Sequence, residues 1–269
     1  MMKMKFRKLV CALLAAYCLT AGCLAADTEY YGTGFLDSRT VLVGDSLTCH
    51  LVAYFLKPKG LLGGAACMAA PNSAVNYYFE DWWPLEPLEQ NAYCCEVSPG
   101  LEGLSFYEAV EATAGKYTRV LFLMGSNSSE YSVVDDYVAA VDHMLANWPE
   151  ATIYMQTVPD SITGVVATDR INGVIADTVA YYEAQGETRV KLLDTNSCWG
   201  PGCYLHDGAH LTDLGIKTWY RFLEKSLPAR GWMRYDFEAD TLPELRRARA
   251  EARAGRLAKY SFTVSALER

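Results

Sequence analysis

Residues 40–47 decide the fold and read Thr40-Val41-Leu42-Val43-Gly44-Asp45-Ser46-Leu47. An apolar run rich in β-branched residues ends at a glycine, and an apolar pattern of helical spacing follows it. Such runs are typical of strands that are buried on both faces of a sheet. The segment therefore predicts a buried strand, a tight turn at Gly44 and a helix that begins near Ser46.

The same alternation of strand and helix continues along the chain without an internal repeat. Strands are expected at residues 40–43, 65–69, 119–124, 152–158 and 190–194, and helices at residues 47–56, 133–148, 169–184 and 211–227. This alternation predicts an α/β fold in which right-handed crossovers cover both faces of a parallel sheet.

Composition and charge exclude several classes of protein. The 269 residues are 51% hydrophobic and 21% charged, which is sufficient for one substantial core and excludes disorder, collagen and coiled coil as descriptions of the whole chain. Residues 1–26 contain four basic residues and no acid, so the remainder carries 20 basic and 32 acidic residues, a net charge of −12. This charge argues against nucleic acid as a partner.

Residues 1–26 have the layout of a signal peptide for secretion. Basic residues 1–8 precede an apolar run at 9–19, which is too short for a comfortable membrane span, and small residues follow at 21–26. Cleavage near Ala25 or Ala26 would release a soluble protein. Ala21-Gly22-Cys23 also resembles a bacterial lipobox, in which Cys23 would carry a lipid anchor to a membrane. We expect a secreted protein or a lipoprotein on the extracellular surface, and both forms stay open.

Six cysteines follow the predicted signal peptide, an even number that suits a chain entering an oxidising compartment. Cys198 and Cys203 are the candidate disulfide, because the Trp-Gly-Pro-Gly between them can turn the chain and bring the sulfur atoms together. Cys49 and Cys67 lie in apolar segments and are expected to be reduced core residues. The partners of Cys94 and Cys95 are not predicted.

Two polar side chains directly follow predicted strands, at the edge where parallel α/β sheets collect their reactive groups. Ser46 would stand at a helix N-terminus, where backbone N–H groups favour an anion, so it suits a nucleophile whose reaction generates an oxyanion. Capping the helix is an equally good interpretation of this serine. Asn127 can donate a hydrogen bond to a developing negative charge, or it can be a turn residue.

A histidine near the last predicted helix completes the set. Asp207 lies three residues before His210, a spacing that can fix the imidazole tautomer and leave the other ring nitrogen free to take a serine proton. His206, Asp207 and His210 could instead bind a metal, but no further group of ligands lies at a recognisable spacing, so we expect no metal. The sequence has no Gly-x-Ser-x-Gly motif, which disfavours an α/β-hydrolase.

These stretches together resemble the sequence blocks of the SGNH or GDSL hydrolases, a family of esterases and lipases. The resemblance extends over about residues 40–227. Gly44-Asp45-Ser46-Leu47 is similar to the first block, Gly125-Ser126-Asn127 to the third and Asp207-Gly208-Ala209-His210-Leu211 to the fifth.

The resemblance implies a flavodoxin-like three-layer α/β/α sandwich with a five-stranded parallel sheet, in a hydrolase domain of residues 27–228. It implies Ser46 as nucleophile, His210 as general base and acid, Asp207 as its orienting partner, and no cofactor. The oxyanion hole would combine the N–H of Ser46, the amide of Asn127 and an N–H from the second block. In that block Asn72 stands where the family usually has glycine, and asparagine tolerates left-handed backbone better than most residues.

The resemblance implies a serine ester hydrolase that acts by acyl transfer on a small ester or an acylated glycan. Tyr77, Tyr78, Trp82 and Trp83 permit sugar stacking, which favours O-acetyl esters of carbohydrate or cell-wall polymer, although the same residues could be core. A lysophospholipid is the alternative substrate. A carbohydrate-binding relative that has lost hydrolysis is the alternative to an enzyme.

Two segments have no clear place in this scheme. Residues 79–105 are rich in Pro, Trp and Glu, and a loop of this length is either functional or a packed surface excursion. Residues 229–269 include an Arg-rich stretch at 245–259, which predicts a charged helical C-terminal extension that is solvated or contacts an anionic surface.

Overall fold

The computed structural model describes residues 31–80, 85, 96–128, 132–160, 168–229 and 231–234. The predicted signal peptide with Cys23 lies outside these residues, as do Trp82, Trp83, Cys94, Cys95 and the Arg-rich stretch. Within the described ranges no helix is both long and apolar enough to cross a membrane.

Strands and helices alternate through the described residues. The strands are β1 (Tyr31–Gly34), β2 (Thr40–Gly44), β3 (Ala66–Ala69), β4 (Glu96–Val97), β5 (Arg119–Leu123), β6 (Thr152–Gln156), β7 (Val190–Leu193) and β8 (Gly231–Arg234). The α-helices are α1 (Ser46–His50), α2 (Phe106–Ala112), α3 (Val134–Asn147), α4 (Thr168–Ala184) and α5 (Asp213–Ser226). Helix α1 continues directly as a π-helix at Leu51–Leu56, and single 3₁₀ turns lie at Val75–Tyr77 and Thr195–Cys198.

Five parallel strands form the central sheet in the order β3-β2-β5-β6-β7. In chain order of the parallel strands this is 2-1-3-4-5, the flavodoxin-like arrangement, so the predicted fold class is confirmed. The short strand β4 adds to the β3 edge in antiparallel orientation, which the sequence did not indicate. A strand of only two residues is too short to show an apolar pattern in the sequence.

Helices pack on both faces of the sheet and form the outer layers. Helix α3 packs against α2 and α4, whereas α5 packs against the π-helix that extends α1. The crossover from β2 to β3 runs along the sheet in one direction, and those from β3 to β5, β6 and β7 run in the other, so right-handed connections place their helices on opposite faces. Each predicted strand and helix of the sandwich is present, with ends within two residues of the prediction.

Strands β1 and β8 form a separate antiparallel ribbon, with Gly34 paired to Gly231. Residues 231–234 are therefore extended, whereas the sequence predicted a helical extension from residue 229. The buried Arg119 side chain donates to the carbonyl oxygens of Phe35, which follows β1, and of Pro228, which precedes β8. These contacts hold together the segment that follows β1 and the segment that precedes β8.

Four cysteines lie in the described residues, and all four are free thiols. Cys49 and Cys67 are buried in the core, as predicted. Cys198 and Cys203 do not form the predicted disulfide in this structure. Cys203 is buried with its thiol hydrogen-bonded to Thr218, and Cys198 packs against the apolar core.

Gly44, at the end of β2, is closely surrounded by neighbouring atoms. Gly44 pairs with Ala69 of β3 and Leu123 of β5, and a β-carbon at this position would collide with the Thr48 side chain and the Leu123 carbonyl oxygen. The requirement here is steric, because the backbone of Gly44 is not left-handed. A residue with a side chain would therefore push α1 away from the sheet.

We expect Gly44→Ala to lower the free energy of unfolding by about 2 kcal/mol, since overpacking a tight site costs of that order. Gly173→Ala on α4 is the matched control, because a β-carbon there meets open space and alanine favours a helix by ~0.5–1 kcal/mol. Urea denaturation of both variants measures the difference. Equal stabilities would contradict the steric role of Gly44.

Candidate active site

Ser46 is the first residue of α1, directly beyond the carboxyl end of the central strand β2. Asp45 precedes it as the N-cap, and its carboxylate accepts a hydrogen bond of 3.0 Å from the backbone N–H of Leu47. Ser46 is almost fully buried, and its hydroxyl faces the loop before α5. The Gly-Asp-Ser turn thus fixes both the position and the direction of the hydroxyl.

A continuous chain of hydrogen bonds links Ser46, His210 and Asp207. The Ser46 Oγ lies 3.2 Å from the His210 Nε2, and the His210 Nδ1 lies 2.7 Å from the Asp207 Oδ2. The three predicted residues therefore meet although 164 positions separate Ser46 from His210. In this geometry the Nδ1–H of His210 donates to the Asp207 carboxylate, and Nε2 faces the Ser46 hydroxyl as an acceptor.

The local backbone holds Asp207 in an ionised form. Burial alone would raise its pKa, but hydrogen bonds from the backbone N–H and the ring of His210 and from the N–H of Ala209 outweigh it and lower the pKa to about 2. Both N–H groups donate to the Asp207 Oδ1 at 3.0 Å, which leaves Oδ2 for the ring. The carboxylate is thus charged and aligned before any substrate binds.

The predicted oxyanion donors lie in the turns after the two strands that flank β2. Asn72 follows β3 with φ of +59°, so this asparagine takes a left-handed backbone conformation. Asn127 follows β5 and donates from Nδ2 to the carbonyl oxygen of Ser73 at 3.2 Å. A side-chain amide carries two N–H donors, so this contact orients the amide and leaves a second N–H for an oxyanion.

His50 is a residue of the site that the sequence analysis missed. It is buried, its ring centroid lies 5.0 Å from that of His210, and the two planes are tilted by 32°. Burial, and the neighbouring His210 charge to a smaller degree, lower the pKa of His50 to about 4. The available signal was its position four residues after Ser46, which places both on one face of a helix.

Asp45 is the second acidic residue of the site and is fully buried. Burial raises its pKa to about 6, and hydrogen bonding to the Leu47 N–H and to Ser126 offsets this only in part. Its carboxylate bonds to the backbone beside Ser46 rather than to the imidazole, so it shapes the turn.

The other predicted candidates lie elsewhere. His206 is exposed, and the described residues contain no group of three or more His, Cys, Asp or Glu side chains arranged to hold a metal. Tyr78 is fully buried and bonds to His143 at 3.1 Å, so it belongs to the core rather than to a sugar-binding surface.

No protein-family model and no curated protein sequence matches this chain. Solved structures similar to it include a GDSL-like lipase from Bacteroides thetaiotaomicron, with 14% identity, a TM-score of 0.44 and coverage of 70% of this chain and 84% of that one. A family 3 carbohydrate esterase from Clostridium thermocellum has 13% identity and a TM-score of 0.46, over 69% and 93% of the two chains. A lipase/acylhydrolase from Enterococcus faecalis has 12% identity and a TM-score of 0.44, over 71% and 98%. These similarities concern the fold.

The raised pKa of Asp45 predicts a pH dependence of stability. Because its pKa in the folded state, about 6, exceeds the usual 3.8, protonation favours folding. The contribution of this protonation to the free energy of unfolding is fully present below about pH 4 and is lost as the pH rises through about 6. The difference corresponds to about 3 kcal/mol.

We expect Asp45→Asn, which keeps an N-cap acceptor, to remove this pH dependence. Urea denaturation between pH 4 and 7 should show the wild type losing about 3 kcal/mol relative to the variant. The exposed Asp135 on α3 supplies the control, because Asp135→Asn removes a carboxyl group that is not buried. Parallel curves for wild type and Asp45→Asn would contradict the assignment.

Proposed function

We propose that this protein is a serine ester hydrolase that works by acyl transfer. The observation that carries the proposal is the hydrogen-bonded chain from Ser46 through His210 to Asp207 at the carboxyl edge of the sheet. A hydroxyl that faces an imidazole, which in turn is held by a carboxylate, is the arrangement that activates a serine for attack on a carbonyl.

The reaction follows from this geometry. His210 Nε2 removes the proton as Ser46 Oγ attacks the ester carbonyl, while Asp207 stabilises the resulting imidazolium. The backbone N–H groups of Ser46 and Asn72 and the amide of Asn127 bind the oxyanion. His210 then protonates the leaving alcohol. In the second half of the reaction His210 removes a proton from water, the water attacks the acyl group on Ser46, and His210 returns the proton to the Ser46 Oγ as the acid leaves. No step calls for a metal or an organic cofactor.

We propose O-acetyl esters of carbohydrate or cell-wall polymer as the substrate class, and a secreted or lipid-anchored location set by residues 1–26. The excess of acidic residues supports this choice over a lysophospholipid, because an acidic protein is repelled from anionic lipid surfaces. The left-handed Asn72 supports an active enzyme over an inactive relative, because it preserves the backbone geometry that glycine would supply. Comparing the release of acetate with that of long acyl chains tests the substrate class.

Ser46→Ala is expected to abolish hydrolysis of 4-nitrophenyl acetate beyond the residual rate that oxyanion stabilisation alone supports. The same substitution should prevent labelling by a fluorophosphonate probe. Ser38→Ala is the matched control, because Ser38 is exposed and lies before β2, at the opposite end of that strand. Equal rates in wild type and Ser46→Ala, or labelling of both, would refute the assigned nucleophile.

Asn127→Ala is expected to lower kcat by roughly 10²- to 10³-fold with little change in KM, because an oxyanion donor acts mainly in the transition state. Steady-state kinetics on 4-nitrophenyl acetate measure both constants. A variant that raises KM and leaves kcat unchanged would place Asn127 in substrate binding instead.

A further inference from the structure

A row of rings leads away from the catalytic histidine along one face of α1 and its π-helical extension. His50 lies four residues after Ser46, and Tyr54 lies four residues after His50. The His50 ring is 5.0 Å from the His210 ring and 5.2 Å from the Tyr54 ring, measured between centroids. The Tyr54 ring therefore lies within about 10 Å of the His210 ring.

The row changes from buried to exposed along its length. His50 is only 5% exposed, whereas Tyr54 is 50% exposed, the largest value among the exposed aromatic residues of the described chain. Tyr54 also lines a cavity of about 280 Å³ whose other lining residues include Lys59, Asp213 and Lys217. A ring face next to charged groups suits a ligand that is apolar on one side and rich in hydroxyl groups on the other.

The chemistry of the proposed reaction sets which part of the substrate reaches this row. His210 must give its proton to the leaving oxygen, so the alcohol portion of the ester lies beside the His210 ring. The oxyanion donors Asn72 and Asn127 belong to the turns after β3 and β5, whereas His50 and Tyr54 adjoin His210. The row of rings is thus on the side of the leaving alcohol.

We propose that Tyr54, linked to His210 through His50, is the stacking platform for the sugar that neighbours the acylated residue of a glycan substrate. This inference rests on the proposed function and specifies its leaving-group subsite. An acyl chain is the poorer occupant, because it would have to displace water from the charged groups of the cavity without offering them hydrogen bonds. Sugar hydroxyl groups both donate to carboxylates and accept from ammonium groups.

The experiment compares two acetyl esters that differ only in neighbouring sugars, acetylated methyl xyloside and acetylated xylotriose. For Tyr54→Ala the ratio of kcat/KM for the trisaccharide to that for the monosaccharide should fall roughly threefold to tenfold, mainly through KM. Tyr54→Phe keeps the ring and should hold the ratio within about twofold of wild type.

Tyr181→Ala is the matched control. Tyr181 is 45% exposed and packs edge-on against Tyr182 at 5.3 Å, but it lies on α4, on the other face of the sheet. This variant should leave the ratio unchanged. An unchanged ratio in Tyr54→Ala, or an equal fall in Tyr181→Ala, would overturn the proposal. It would also be overturned if Tyr54→Ala instead lowered activity on 4-nitrophenyl butyrate relative to 4-nitrophenyl acetate, since that would assign Tyr54 to the acyl chain.

A separate measurement distinguishes failure of this subsite from failure of the proposed function. If the wild type hydrolyses no acetyl ester, the esterase assignment fails, and calorimetric titration with xylotriose then tests Tyr54 by itself. Weaker binding by Tyr54→Ala than by wild type and Tyr181→Ala would support the platform. Equal binding by all three, or none by the wild type, would overturn it.

Discussion

The close approach of β2 to its two neighbours at Gly44 is the constraint on which the candidate site depends. Gly44 pairs with Ala69 on one side and Leu123 on the other, so three adjacent parallel strands end at the same level. The turns that follow them carry Asn72, Ser46 and Asn127, and the carboxyl ends of parallel strands lie at one edge of the sheet, so these three residues are neighbours.

His210 reaches the same edge from another part of the chain. It precedes α5, which packs on the π-helical extension of α1, so contact between these helices sets the distance from imidazole to hydroxyl.

Asp207 and Asp45, at the carboxyl edge of the sheet, show how burial and hydrogen bonds set the pKa of a carboxyl group. Asp207 is partly exposed and accepts two backbone N–H groups and an imidazole, so its pKa falls to about 2 despite burial. Asp45 is fully buried, and burial outweighs its hydrogen bonds and raises its pKa to about 6. The lowered pKa belongs to the carboxylate that touches the ring, where negative charge stabilises an imidazolium. The raised pKa belongs to the one that caps α1, where a neutral group still holds the turn.

Much of the fold was predictable because buried parallel strands carry a strong signal. The apolar runs gave the five strands and four of the helices, and polar residues just beyond two of these runs pointed to Ser46 and Asn127. Helix α2, strand β4 and the β1–β8 ribbon were missed, since short elements at the edge of a domain have little periodicity. Cys198 and Cys203 are free thiols in this structure, and their disulfide stays a prediction from spacing alone. Their spacing permits a disulfide, but whether the sulfur atoms face each other depends on packing around Thr218 and the core, which spacing does not reveal.

His50 shows why the contents of a site exceed its motifs. Two neighbouring histidine rings would repel each other if both were protonated, and His210 must become an imidazolium during the proposed reaction. Burial lowers the pKa of His50 to about 4, so its ring stays neutral near pH 7 and no second cation opposes that step. A neutral ring in this position packs beside the His210 imidazole, while the Asp207 carboxylate accepts from its Nδ1. Ser46 and His50 lie four residues apart on one helix, so the neighbouring ring belongs to the same element that presents the proposed nucleophile. The sequence therefore places two functions of the site on a single turn of helix, although only one of them resembles a known motif.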